Sequence, residues 1–340
     1  MKGRHGSFIK GAAHLAEITV ATCSRRCGLT QHALRKAGNQ GTTVALTYHH
    51  IGPKEATTPL TRALSQVGMS ITPEVFARQM QLIAAHFTVV SLKDFLSARS
   101  GASTLPRNAI LLTFDDGFRD TVNYALPILA SHGFHGMFSL VGCHLARESL
   151  APLFKLDHRM GGRTAAGGAP DGEFRRMRQA VLYGGKEARD VAEQLGISRA
   201  EEREAVENLF IGPEDAAAMA QSGHEIAAHG WEHLMCSKLS EDDLSQDVRR
   251  TMKIIEQATG IRPEAFVYPY GMSGSFTQQT GRVLSSEGLR CAFTAVEGVN
   301  EKTTPMFALK RVQCDPVSDD VLLLRMTGAR GRIKALLGRR

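Results

Sequence analysis

The 340-residue chain is 43% hydrophobic and 22% charged, a balance that excludes general disorder and leaves room for one α/β barrel or two ordinary domains. Its formal charge of +7 admits an anionic partner, but much of the excess sits at the two ends, and a basic tail says less than a basic face; nucleic acid is therefore not expected as a partner. The six cysteines (Cys23, Cys27, Cys143, Cys236, Cys291, Cys314) form no CxxC pair, which argues against a disulfide scaffold and a zinc knuckle. No run approaches the roughly 18 apolar residues of a membrane span, and the start lacks a secretory pattern, so the expected location is the cytoplasm.

Residues 1–40 set seven basic side chains against the single acid Glu17 and read as a loosely ordered extension; a targeting segment or an over-extended start has the same look. The first strand is expected over 42–51, where the β-branched TTVALTYHHI run ends in His49 and His50 before Gly52-Pro53. Thr72 as N-cap and Pro73 at N1 open a helix over 73–86. A strand at 88–91 and a short helix at 92–98 follow. The apolar run Asn108–Phe114 is a buried strand that ends in Asp115-Asp116-Gly117. Beyond it come a helix over 121–132 and a strand over 136–141, an alternation that points to a parallel sheet or barrel.

Residues 150–210 interrupt the rhythm with glycine-rich stretches and a charged helical segment over 190–208, which reads as a helical insertion. The pattern resumes with a helix over 213–221, a strand over 224–229 and a long helix over 240–259. Ser240 with Asp243 starts that helix and Gly260 stops it. Strands at 265–268, 291–295 and 308–313, with a helix near 278–287, complete the ordered part. The remainder, 317–340, is a basic tail.

Three strand ends carry chemistry. Adjacent carboxylates at 115 and 116 repel each other, and a divalent metal that takes one while the other serves as a base would compensate them, since neighbours on a strand point to opposite sides. An ordinary strand-to-turn junction uses the same residue types. His229 and His233 lie four apart after another strand, a spacing that suits a metal pair on a helix or tight loop. Phe266–Gly271 (FVYPYG) ends a third strand in a rigid turn whose backbone N–H groups can face an oxyanion, though a plain loop looks the same. In a parallel barrel the C-terminal strand ends share one face, so distant motifs can meet there.

Taken together and in order, TFDDG, HGWEH and YPYG resemble the polysaccharide deacetylases of the NodB homology type, carbohydrate esterase family 4. The LTYHHI strand and the phrases DDGFRDTVNYALPIL and GHEIAAHGWEH extend the resemblance over about residues 42–315. It implies a distorted (β/α) barrel over 41–316 with the insertion at about 150–210. It further implies a divalent metal, zinc by first choice, on Asp116, His229 and His233, with Asp115 as the base and the Tyr270 N–H, together with the metal, holding the oxyanion.

Two departures from the family pattern stand out. Val267 occupies the place of the usual arginine two residues before the proline, and no histidine follows His233 to serve as the usual acid. Arg311 on the last strand is the expected source of the missing charge. His49 is the expected acid, because it ends a strand at the mouth and His50 would point the other way. The expected activity is hydrolytic removal of N-acetyl groups from a bacterial polysaccharide or its sugar precursor, and the alternative is a catalytically reduced glycan-binding protein of the same fold. The tail, with Leu322, Leu323, Leu324, Ile333, Leu336 and Leu337 beside its arginines, offers a weak contact with an anionic membrane surface.

Overall fold

In the computed structural model, which describes residues 42–328 apart from 54, 56, 57, 67, 161–171 and 315–316, the chain alternates strands and helices. Strand β1 (Val44–Tyr48) is buried throughout. It stops before His49, and β2 (His50–Ile51) turns away to pair with β3 (Ser70–Ile71) across α1 (Pro59–Gln66). The strand expected over 42–51 is thus two, because Gly52 N and His50 N bond to Ile71 O and Met69 O and draw the chain off the barrel.

Helix α2 (Pro73–His86) begins as expected, with Thr72 accepting from Val75 N. β4 (Thr88–Val89), α3 (Leu92–Arg99) and the fully buried β5 (Ala109–Phe114) follow. The helix expected over 121–132 opens as a wide turn, Thr121–Ala125, closed by Leu126 N on Thr121 O, before α4 (Leu126–Ser131). Pro127 has no N–H for a regular ladder, and the wide turn accommodates that gap.

After β6 (Met137–Leu140) comes the short α5 (Gly142–Leu145). The insertion is helical: α6 (Pro152–Met160), α7 (Gly172–Tyr183), α8 (Glu187–Glu193) and α9 (Arg199–Leu209). The stretch expected to be one helix over 190–208 breaks at Gly196 (φ 63°), and Ser198 with Glu201 caps the new start. Then follow α10 (Pro213–Gln221), β7 (Glu225–Ala228), α11 (Glu241–Thr259), β8 (Ala265–Val267), α12 (Gln278–Ser286), β9 (Cys291–Glu297), β10 (Leu309–Gln313) and α13 (Asp319–Met326).

The sheet runs β1-β10-β9-β8-β7-β6-β5, all parallel, and closes because β1 also pairs with β5 (Leu46↔Leu112); β4 adds to the start of β5. Alternation sorts the side chains. Ala45, Leu111, Met137, Ala227, Ala265 and Leu309 fill one apolar cluster, while Leu46, Leu112, Phe114, Phe138, Ala228 and Phe266 belong to another that includes the helices α2, α11 and α12. The first set is the barrel interior and the second is the layer between sheet and helices.

The C-terminal expectation needs correction. Leu322, Leu323 and Leu324 lie on α13 at 0%, 4% and 4% exposure within the core, so they are withdrawn from any membrane contact. Ile333, Leu336, Leu337 and the arginines beyond 328 lie outside the described residues, as do Cys23 and Cys27; Cys143, Cys236, Cys291 and Cys314 are buried thiols in no disulfide.

Candidate active site

Counting by two along the inward face of each strand leads from the apolar interior to a polar layer at the C-terminal mouth. Leu111 is followed by Thr113 and Asp115, Met137 by Ser139, Ala227 by His229, and Leu309 by Arg311. The charged pair lies there as a salt bridge: Arg311 Nη1 donates to Asp115 Oδ1 at 2.8 Å and Nη2 to Oδ2 at 2.7 Å. Arg311 is itself aimed by Thr294 O (2.8 Å) and Thr113 Oγ1 (3.1 Å), and Ser139 Oγ donates to Asp115 Oδ1 at 2.8 Å. Burial pushes the Asp115 carboxyl up, but the bidentate guanidinium outweighs it and holds the group well below the usual range.

Asp116 reaches the same mouth by a different route from the one alternation suggests. β5 ends at Phe114, and Asp116 takes φ 71°, a left-handed conformation that swings its side chain back toward the site. Gly117 (φ 71°) completes the turn, and a Cβ there would sit 2.9 Å from Leu140 Cδ2.

His229 and His233 sit on a tight loop whose backbone is held from two sides. Gly142 N and Cys143 N donate to Gly230 O and Trp231 O at 2.9 Å each, and Trp231 N donates to Asp247 Oδ1 of α11 at 2.9 Å. Asp247 is half-buried, and its loss of hydration pushes the carboxyl up to about 7. The Nε2 atoms of His229 and His233 lie 3.3 and 3.4 Å from the same Asp116 oxygen, Oδ1.

The donor set fits a divalent cation. His229 Nδ1 lies 2.7 Å from Val267 O, and since a carbonyl only accepts, Nδ1 carries a proton, which leaves Nε2 as the atom whose lone pair, in the neutral form, faces Asp116. Burial, then the neighbouring His229, pushes His233 down to about 3, which leaves it neutral. Burial likewise opposes charge on His229, yet Asp116 and Asp115 outweigh it and raise its pKa. Two imidazoles and one ionised carboxylate, with ligand atoms within 4.8 Å of one another, match a three-ligand site with open positions; it is the one such cluster found among the described residues.

His49 lies just past β1 rather than within it, with Nε2 3.9 Å from Asp115 Oδ2 and 15% side-chain exposure. His50 is turned away and buried, its Nδ1 2.8 Å from Ser70 Oγ. Tyr270 (φ 63°) places its ring 4.8 Å from that of His233, so all seven expected site residues gather at one mouth.

Several further neighbours carry little signal in the sequence. A lone hydroxyl in the apolar MFSL strand was the available signal for Ser139. His144 follows β6 at the same mouth; Ala151 N donates to its Nε2 at 3.0 Å and burial pushes it down to about 3, so it is neutral with the proton on Nδ1. Phe154 of the insertion sets its ring 5.5 Å from His233, and no local pattern pointed to it or to Asp247.

The comparisons agree with this geometry. A family model described as polysaccharide deacetylase matches residues 102–292. Over 98 residues the chain is 30% identical to the Bacillus subtilis protein YlxY, described as uncharacterized, covering 28% of this chain and 30% of YlxY. Over 59 residues it is 34% identical to chitin deacetylase 1 of Cryptococcus neoformans var. grubii, covering 17% and 13%. The matched stretches thus span less than a third of these curated relatives. Among solved structures, the Streptococcus pyogenes deacetylase PplD in complex with acetate superposes with TM-score 0.58 at 16% identity, covering 84% of this chain and 98% of PplD. IcaB from Ammonifex degensii gives 0.57 at 18%, covering 84% and 97%; at such identities the likeness is one of fold.

Proposed function

The chain belongs to the polysaccharide deacetylase family, and from that premise we propose that it is a metal-dependent hydrolase that removes N-acetyl groups from a bacterial polysaccharide or its sugar precursor. The observation that carries this reading is the meeting of Asp116, His229 and His233 beside an ion-paired Asp115 at one barrel mouth.

Asp116, His229 and His233 would hold the cation, and two imidazoles with a carboxylate make zinc the first choice. When bound, it supplies Lewis-acid polarisation of the acetyl carbonyl and a water of lowered pKa. The protein's own groups do the rest. Asp115 accepts a proton from the attacking water as the new C–O bond forms. Arg311 keeps that carboxylate ionised and fixed, and because its pKa is low the proton's stay there is short. Protonated His49, 3.9 Å from Asp115, gives a proton to the departing nitrogen as the C–N bond breaks, and acetate and a free amine result. The Tyr270 N–H is the proposed donor to the developing oxyanion.

The second reading, a catalytically reduced glycan-binding protein, rests on Val267 standing where the family carries arginine and on the absence of a histidine after His233. Arg311 weakens the first ground, because it makes a bidentate contact with Asp115 from another strand. No helix among the described residues is long and apolar enough to cross a membrane.

The test is elemental analysis together with acetate release from a panel of N-acetylated glycans. The expected result is about one divalent ion per chain and metal-dependent acetate release, with metal occupancy falling sharply in Asp116→Ala, His229→Ala and His233→Ala. Normal occupancy in Asp116→Ala would sink the ligand assignment.

A further inference from the structure

We propose that His50 and Asp120 form a clamp that positions His49, the proposed acid, beside Asp115, the proposed base. They are positioning residues: neither touches the reacting atoms, and both act on proton delivery through His49. The inference rests on the deacetylase reading and names what holds its acid in place.

His49 is the middle of a three-residue segment that is tied, on either side of it, to the segment Asp115–Asp120. Before it, Tyr48 O accepts from Asp115 N at 2.9 Å, in continuation of the β1–β5 pairing. After it, the His50 side chain is 3% exposed; its Nε2 lies 2.5 Å from Asp120 Oδ2, and its ring stands edge-on to Phe118 at 5.8 Å. The receiving segment is itself fixed, because Phe118 stacks on Phe210 at 5.3 Å and Ile211 N donates to Gly117 O at 2.8 Å. Acid and base are thus mounted on two segments joined by backbone at one end and by side chains at the other.

The second nitrogen of the clamp is held as well. His50 Nδ1 lies 2.8 Å from Ser70 Oγ on β3, a hydroxyl that can donate or accept, so the ring is gripped at both edges. Gly52 makes the space: a Cβ there would stand 2.6 Å from His50 Cε1 and 2.8 Å from Asp120 Oδ2. The turn off the barrel does not need this pair, since His50 N and Gly52 N already bond to Met69 O and Ile71 O at 3.1 Å each. An apolar side chain at 50 would fill the same place without giving up hydration. What the polar pair adds is direction: it fixes the backbone just past His49, whose Nε2 has to stay near Asp115, 3.9 Å away.

The test is a double-mutant cycle in the full-length, metal-loaded protein, read as acetate release from tetra-N-acetylchitotetraose or, where the wild type leaves that intact, from the panel glycan it does turn over. Asp120→Ala is expected to lower kcat about tenfold with KM and metal content unchanged, as a modest misplacement of a catalytic group does. In the His49→Ala background the same change should cost nothing further, because the clamp acts through His49. Gly52→Ala, which wedges a methyl against imidazole and carboxylate while keeping both, should give the same pattern. The clamp is also read without turnover: in protein carrying isotope-labelled histidine, Asp120→Ala should shift the ring signals of His49 and His50 and leave those of His229 and His233 in place. Unchanged kcat, an equal loss in both backgrounds, loss of metal along with rate, or an unmoved His49 signal would each overturn the proposal. Failure of the wild type to release acetate from any glycan of the panel counts against the deacetylase reading instead, and the histidine signals still decide the clamp.

Discussion

The two ends of the barrel handle left-handed backbone differently. At the far end, the turns that lead from a helix into β6, β7, β8 and β9 place glycine in that conformation: Gly133, Gly223, Gly260 and Gly288. At the mouth it is taken by Gly117, Gly230 and Gly271 but also by Asp116, His233 and Tyr270, three of the five such non-glycine residues described, and two of these three are proposed metal ligands. A side chain costs about 1–2 kcal/mol more than glycine in this conformation, so the mouth spends core stability to aim its chemistry. The far end needs only to turn the chain, and these four turns use the unstrained residue; the turn into β5 is the exception, with Asn108 at φ 53°.

If that contrast is functional, changes at the mouth should cost activity at nearly constant stability, and changes at the far end should do the reverse. The largest effect is expected for Asp115→Asn, which should abolish acetate release while metal content, measured by elemental analysis, survives. Unchanged turnover would mean that another group activates the water. His49→Ala comes next, with a loss of about two to four orders of magnitude in kcat at unchanged metal content, the usual worth of a positioned acid. Full rate across the pH profile in that variant would assign the acid elsewhere.

Smaller effects sharpen the boundary between the two ends. Asp247 belongs to the mouth by position, since it anchors Trp231 N between the two histidines, and loss of hydration pushes its carboxyl up to about 7 from an ordinary 3.8. Because the native value is raised, the stability this group contributes is fully present below the unfolded value and is lost as pH rises through about 7. Asp247→Asn should therefore flatten the fall in stability of the wild type between pH 4 and 7, read from urea midpoints; parallel curves would show that Asp247 does not titrate there. The smallest effect is expected for Gly260→Ala at the far end. Its φ is 73° and nothing lies within 4 Å of an added Cβ, so the change costs only the backbone term, about 1 kcal/mol, and leaves acetate release untouched. A cost much larger than that, or a loss of turnover, would mean that the two ends are not separable in this way.

Much of this architecture was legible locally. The strands from β5 to β10 and the helices α2, α3, α10, α11 and α12 follow from apolar periodicity and from caps such as Thr72 and Ser240, because such signals act within a few residues. Ligand chemistry and strand-end position also nominated Asp115, Asp116, His229 and His233, since carboxylate and imidazole pairs are unusual just past apolar runs. Local pattern failed where a partner decided the outcome. His50 left the first strand to join β3; Pro127 sits where the helix after Thr121 opens into a wide turn; and Leu322–Leu324 look like free apolar surface until α13 is seen packed on the barrel.

The candidate site divides along the same line. Sequence by itself determined which residues have the chemistry to bind a metal and to move a proton. Only the tertiary structure decided that Arg311, 196 residues from Asp115, forms a bidentate ion pair with it, that Asp116 turns back through a left-handed bend, and that Phe154 of the insertion comes to lie against His233 at the mouth. The physical reason is closure: once β1 pairs with both β5 and β10, every strand end shares one rim, and contacts on that rim depend on stagger and turn geometry rather than on distance along the chain.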